Sequence, residues 1–204
     1  NMVGLDFNAQ VAGLQVTRQN IKELIDEYGA QLVKGSLEKI IDDSESKFLD
    51  KLDPVPDGTW RTRTYEEGSQ IGDGDLYEVT LQLEKKGDRL IFRNEGTDEN
   101  VGAINLTYAG FRTSISCAVN PMMMYDQLWV HSGAYRHIDI ETEPGTISRA
   151  SHPSGVSCGA NLAAILQISL IYDVMTRMLI TSDETREDIN LHPVTGSSVH
   201  AQAG

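Results

Sequence analysis

With 204 residues and 40% hydrophobic content, the chain is long enough for one substantial core or for two small ones. Its 17 basic and 30 acidic residues give a formal net charge of −13, which repels a phosphate backbone and argues against nucleic acid as a partner. Cys117 and Cys158 form no CxxC pair, so neither a disulfide framework nor a zinc site is indicated, and a reducing cytoplasm fits.

Asn1 to Gln10 is mixed and carries Asp6, so no secretory leader is expected there. From about Ala9, Leu14, Ile21, Leu24, Ile25 and Tyr28 fall on one helical face, and Gly29 is placed to end that helix. A second helix, about Ala30 to Leu52, carries Leu32, Val33, Leu37, Ile40, Ile41, Phe48 and Leu52 at helical spacing. The two are expected to pair antiparallel as a helical hairpin over 1–53, stopped by Asp53-Pro54-Val55-Pro56-Asp57-Gly58.

Strand chemistry follows over 54–100. Thr59 to Tyr65 is rich in β-formers, and Tyr77, Val79, Leu81 and Leu83 alternate with polar residues at a period of two. Lys86-Gly87-Asp88 turns the chain into Arg89 to Arg93, which makes an antiparallel meander with one buried face. The loop Gly68 to Asp75 is acidic but lacks the positions of an EF-hand, so a solvated turn is the preferred reading over calcium.

The remainder, 101–204, reads as an α/β segment, and the whole chain as an α+β protein. Gly102 to Asn120 is expected to be a helix ended by Pro121, with small residues such as Gly110, Ser114 and Ala118 that admit a close neighbour. Met122, Met123 and Met124 read as adaptable apolar filler. A strand is expected at Arg136 to Glu141, turned by Glu143-Pro144-Gly145 into Thr146-Ile147-Ser148. A long apolar helix then runs from Gly159 to Ile180, interrupted by Gln167, Asp173 and Arg177, which makes it a core helix and not a membrane span. The last twenty residues have no core pattern.

Few residues carry chemistry by themselves. Gly155-Val156-Ser157-Cys158-Gly159 fits the G-x-S-x-G pattern of a nucleophile elbow, yet Arg149, His152 and Pro153 stand where a buried strand is needed, so a turn at a helix start is preferred. The two thiols read as small buried hydrophobes. His131, His137, His152, His192 and His200 make no HxH, HxxxH or HExxH, so no local metal set is encoded. His137 reads as structural, and His152, His192 and His200 as loop histidines open to a ligand. Asn105 and Asn161 each lie beside a glycine near a helix start, where an amide caps the helix or bonds a substrate carbonyl.

At Gly102-Ala103-Ile104-Asn105, the following helix with Arg112, Arg136-His137-Ile138-Asp139-Ile140 with Glu143-Pro144-Gly145, and Gly159-Ala160-Asn161, the chain resembles the hydantoinase B family. The order of elements agrees over nearly the whole length, including Pro56 to Trp60. That family includes B subunits of ATP-dependent N-methylhydantoinases, the matching half of 5-oxoprolinases, and α-type subunits of acetone and acetophenone carboxylases.

The resemblance implies a division of labour in which a partner A-type subunit uses ATP and a divalent metal to phosphorylate the substrate oxygen. The B-type subunit then completes ring opening of a lactam or imide, or carboxylation of a ketone. Family members are much longer, so the chain is expected to be an internal segment, inactive alone, with the metal ligands in a His/Asp-containing region outside it. Substrate contacts are expected at Asn105, Arg112, His152 and Asn161, in a cleft shared by the helix starts at 102 and 159; catalytic residues are not assigned. One departure bears on the chemistry. Where hydantoinase-like members place Glu-Thr after the Gly-Gly-Asn turn, Asn161 is followed by Leu162-Ala163-Ala164, which gives the carboxylase branch weight beside the hydrolase. A non-catalytic assembly module is the third reading.

Overall fold

The structure, a computed structural model, describes residues 2–69, 72–127 and 132–189. His131, His192, His200 and nearly all of the tail lie outside the described residues. The chain divides into two compact units, Asn1–Asp43 and Ser44–Gly204. It is α+β: two N-terminal helices are followed by a four-stranded mixed sheet and two further helices.

In the first unit, helix α1 (Met2–Tyr28) runs to Gly29, after which α2 (Ala30–Leu52) begins; the unit boundary falls within α2. The Gly29 amide donates to the Ile25 carbonyl at 2.8 Å, and the Gly29 carbonyl accepts from Val33 at 3.2 Å. Helix α2 forms where apolar periodicity places it, whereas α1 begins at Met2 and not at the expected Ala9, so the segment 2–10 is helical and not an entry loop. The face on which an antiparallel pair is expected to close nevertheless stays open: α1 buries no residue, and Leu14 is 71% and Tyr28 53% exposed.

The second unit is built on the sheet, ordered β1-β2-β3-β4. Strands β1 (Gly58–Glu67), β2 (Leu76–Lys86) and β3 (Arg89–Arg93) form the expected antiparallel meander, with Trp60 opposite Leu83 and Leu83 opposite Phe92. Strand β4 (Ile138–Glu141) adds parallel to β3, which requires the intervening crossover through α3 (Tyr108–Met123). The period of two works as read. Val79, Leu81, Leu83, Leu90 and Phe92 are buried, while the other face carries paired charge: Arg93 bonds Glu141 at 2.8 Å and also Glu84, and Arg89 bonds Asp139. Helix α4 (Ala164–Leu179) packs against β1, β2 and α3, with Ile171, Val174, Met175 and Met178 fully buried. Phe48 and Leu52 at the end of α2 join the same core, as do Met122, Met123 and Met124.

Three local expectations are corrected. Gly102 to Thr107 is not helical, because Leu106 is committed on both sides: its amide donates to the Ile147 carbonyl at 2.7 Å and its carbonyl accepts from Ala150 at 2.8 Å. Helix α3 therefore starts at Tyr108. It also continues through Pro121 to Met123. Proline supplies no amide hydrogen for the Cys117 carbonyl four residues back, and the Tyr172 hydroxyl of α4 donates to that carbonyl instead, at 3.0 Å. Finally, Thr146-Ile147-Ser148 makes isolated bridges of Thr146 with Glu99 and Arg149 and not a strand of the sheet.

Candidate functional site

The loop preceding α3 and the turn preceding α4 are pressed together. The Cys158 amide donates to the Ala103 carbonyl at 3.0 Å. A Cβ on Gly155 would lie 2.9 Å from the Gly102 carbonyl oxygen, and one on Gly159 only 2.7 Å from that of Asn105, so glycine is what permits this approach. Asn105 stitches the two segments together. Its Oδ1 accepts from the Val101 amide at 2.8 Å, and its Nδ2 donates to the carbonyls of Gly155 at 2.8 Å and Gly102 at 3.3 Å. The side chain is fully buried and its hydrogen-bonding capacity is used internally.

Thr107 caps α3, its Oγ1 accepting from the Gly110 amide at 3.0 Å. On the other side, Gly159–Ala163 forms a π-helical turn that leads directly into α4. Between these helix starts lies a cleft of about 430 Å³. Gly110, Ser114 and Cys117 face it from successive turns of α3, with Thr113 beside them, and Ala160, Ala164 and Ile168 repeat at i, i+4 and i+8 on the opposite wall. Leu106, Val156 and the Asn105 segment close the end. The small residues read along α3 thus mark one wall, and the entry regions of both helices do share a concavity.

The other sequence candidates fare unequally. Asn161 lies within the π turn, and its side chain is outside the described residues. Arg112 is exposed and does not line the cleft; its guanidinium sits over the Tyr135 ring at 4.3 Å. His152 is exposed on the loop and is likewise not among the lining residues. Ser157 sits in a turn with no strand before it, so the elbow geometry is not formed. Cys117 is exposed rather than buried, and Cys158 is half-buried.

Polar residues elsewhere are accounted for by structure. His137 Nε2 is 2.7 Å from Glu45 Oε1, and its Nδ1 is 3.2 Å from Asp88 Oδ2 without hydrogen-bond alignment; the ring stacks on Phe48. The His137 imidazole, and then the Arg136 guanidinium that also bonds Glu45, hold the Glu45 carboxyl below the usual carboxylate range. In the acidic loop, Asp73 accepts from the Ser69 hydroxyl at 2.6 Å, the Asp75 amide at 3.0 Å, the Ser69 amide at 2.7 Å and the Tyr77 hydroxyl at 2.8 Å. These bonds, the Ser69 hydroxyl foremost, hold its carboxyl far below the usual range.

Periodicity gave no hint of Asn94, fully buried, whose Oδ1 accepts from the Glu143 amide at 2.7 Å and whose Nδ2 donates to Thr146 at 2.8 Å. Two further hollows, one near Arg61 and Gln82 of about 330 Å³ and one near Asp75 and Glu99 of about 510 Å³, include none of Asn105, Arg112, His152 and Asn161 in their lining.

The described lining of the cleft offers hydroxyls, a thiol and backbone groups, with no carboxylate, imidazole or cation. Among the described residues no cluster of three or more His, Cys, Asp or Glu could hold a metal. The groups lining the cleft fit neither a divalent metal nor a nucleotide. Among the described residues, no helix is long and apolar enough to cross a membrane.

Comparison with known proteins adds to this geometry. A family model described as hydantoinase B/oxoprolinase matches residues 1–196. Caprolactamase subunit beta of Pseudomonas jessenii is 31% identical over 152 residues, 73% of this chain and 26% of that protein. Acetophenone carboxylase delta subunit of Aromatoleum aromaticum is 25% identical over 166 residues, 80% of this chain and 24% of that protein. The chain therefore spans about a quarter of the length of these curated relatives. Among solved structures, ATP-dependent caprolactamase from Pseudomonas jessenii superposes with a TM-score of 0.68 at 24% identity, covering 89% of this chain and 30% of that one. A nucleotide-free acetone carboxylase structure gives 0.74 at 14% identity, covering 91% and 26%. At those identities the superpositions establish the fold alone.

Proposed function

Since the chain belongs to the hydantoinase B/oxoprolinase family, we propose that it is part of a B-type subunit that opens the C–N bond of a cyclic amide after an A-type partner subunit has phosphorylated the substrate with ATP. The observation that carries this reading is the cleft between the starts of α3 and α4. It lies at the Gly102–Asn105 and Gly159–Asn161 segments that bear the family resemblance. The 31% identity to caprolactamase subunit beta supports the hydrolytic branch.

A stable lactam does not open readily in water; phosphorylating its oxygen makes the ring carbon electrophilic enough for water to add, after which the C–N bond breaks with the nitrogen leaving as the amine and hydrolysis releases the phosphate. The phosphorylation belongs to the partner. This chain's share is to bind and orient: the walls of α3 and α4 hold the ring, and the Asn105 bonds fix the two helix entries relative to each other. No acid, base or metal ligand of the reaction is assigned among the described residues of the cleft.

A second reading, a ketone carboxylase subunit, is favoured by one feature. Leu162-Ala163-Ala164 stands where hydantoinase-like members carry Glu-Thr, and Ala164 faces the cleft. The resemblance suggests an α-type carboxylase subunit, whereas the matched acetophenone carboxylase chain is the delta subunit.

The deciding experiment uses the full-length subunit assembled with its A-type partner. Lactam-stimulated ATP hydrolysis with release of the amino acid is the expected result. Fixation of labelled bicarbonate into a ketone, without lactam turnover, would replace this reading by the carboxylase one. If Asn105→Ala and Ala164→Leu both leave every rate unchanged, the segment has only an assembly role.

A further inference from the structure

Strand β1 is the long edge of the sheet. It spans ten residues, against four in β4 at the opposite edge, and among the described residues it pairs with β2 alone. An antiparallel ladder uses every second amide and carbonyl of such a strand and turns the others outward. Natural edges are commonly blunted by short length, proline, lysine or a bulge. Strand β1 shows none of these: its register with β2 is unbroken and its sequence is Gly-Thr-Trp-Arg-Thr-Arg-Thr-Tyr-Glu-Glu.

The charges of β1 run in a fixed order, with Arg61 and Arg63 toward its start and Glu66 and Glu67 at its end. Arg61 bonds the neutral Gln82 side chain, Arg63 reaches Glu78 at 3.3 Å, and Glu67 is exposed. Burial, and then the neighbouring Glu67, pushes the Glu66 carboxyl above its usual range, and a cation brought close lowers it again. A strand with cations at one end and carboxylates at the other complements its own reversed copy. Opposite residues of an antiparallel pair share a face. The register that sets Thr64 against Thr64 of a second copy therefore places Arg61 against Glu67, Thr62 against Glu66 and Arg63 against Tyr65. Sliding one way brings Arg63 against itself, a destabilising like-charge pair, and sliding the other way shortens the pairing. The exposed Tyr65 of the second copy then arrives beside Arg63, next to the hollow of about 330 Å³ that Arg61 and Arg63 line.

We infer that β1 is a self-pairing edge: two copies of this chain join antiparallel through residues 61–67 about a two-fold axis at Thr64, with Arg61 of each copy bonded to Glu67 of the other, so that two sheets become one.

The test is made on the full-length protein, with and without its partner subunit. Thr64→Cys sets two thiols opposite each other with Cα atoms about 4.5–5.5 Å apart, within the reach of a disulfide, and mild oxidation is expected to give a covalent dimer. Thr62→Cys, which faces Glu66, is expected to give none, and it carries the same native Cys117 and Cys158. Arg61→Glu is expected to raise the dissociation constant of self-association at least about tenfold, because symmetry introduces the like-charge pair twice. Adding Glu67→Arg to that variant restores association. A Thr64→Cys protein that assembles with its partner but does not cross-link overturns the inference. So does self-association that Arg61→Glu leaves unchanged, or that the charge-swapped protein fails to recover.

Discussion

Helices α1 and α4 invite comparison, because apolar spacing announces both of them and their surroundings treat them in opposite ways. In α1 the repeat Phe7, Leu14, Ile21, Tyr28 runs at seven-residue intervals, and all four side chains are exposed. In α4 the corresponding stripe of Leu170, Ile171, Val174, Met175 and Met178 is buried against the sheet and α3. Periodicity records which face of a helix is apolar; burial needs a facing surface at the right distance. The unit Ser44–Gly204 provides that surface for α4, while within Asn1–Asp43 nothing covers α1.

That contrast can be broken by measuring stability along the chain. The largest effect is expected for Phe92→Ala in β3: the side chain is fully buried, and its removal costs about 3–5 kcal/mol in urea denaturation of the full protein. Next comes Asn105→Ala, which leaves the Val101 amide and the Gly155 carbonyl without their partner and costs about 2–4 kcal/mol. Gly159→Ala forces a methyl to within 2.7 Å of the Asn105 carbonyl oxygen, and roughly 1–3 kcal/mol is lost in the same assay.

A smaller effect distinguishes the ion pairs that fasten α2 to the β4 entry. Glu45 has its carboxyl held low by His137 and Arg136, so its contribution is present above the usual carboxylate range and is lost as pH falls through its depressed folded value. The melting temperature of Glu45→Gln should therefore lie below the parent's at neutral pH and converge with it under acid. Convergence in the opposite direction would show that the pair stabilises nothing. Smallest of all is Leu14→Ala, expected to change the stability of the isolated 204-residue chain by less than about 0.5 kcal/mol, because the residue is exposed there. A loss above 1 kcal/mol in the isolated chain would erase the contrast between α1 and α4. The same substitution in the assembled complex should cost more if a partner covers that face.

The candidate site was legible in part. Asn105 stands out in sequence as a polar residue near a glycine, and Gly159 as the glycine of the second helix start; both line one cleft. Their roles are another matter. In sequence Asn105 reads as a helix cap or a ligand-bonding amide, yet in the structure the neighbouring Val101 and Gly102 and the distant Gly155 consume its side-chain amide. Arg112 and His152 are near the cleft in sequence but not in its lining, because on α3 the side chain of Arg112 points toward Tyr135 while Thr113, Ser114 and Cys117 face inward. In sequence Ser114 reads as a small helix residue and Cys117 as a buried hydrophobe, and nothing marks Thr113, since a residue's ordinary helix-packing chemistry says nothing about which neighbour it will face.

From the chain alone came the class of the fold, the order of its elements, the alternating face of the meander and the places where two glycine-rich entrances open. These follow from local rules: side chains repeat every 3.6 residues in a helix and every two in a strand, and glycine marks close approach. Tertiary structure alone decided that β4 lies parallel to β3, that Tyr172 supplies the donor Pro121 lacks, that α1 keeps its apolar face uncovered, and that the cleft is free of charge among its described residues. Each of those depends on pairing between residues tens of positions apart, which no local period encodes.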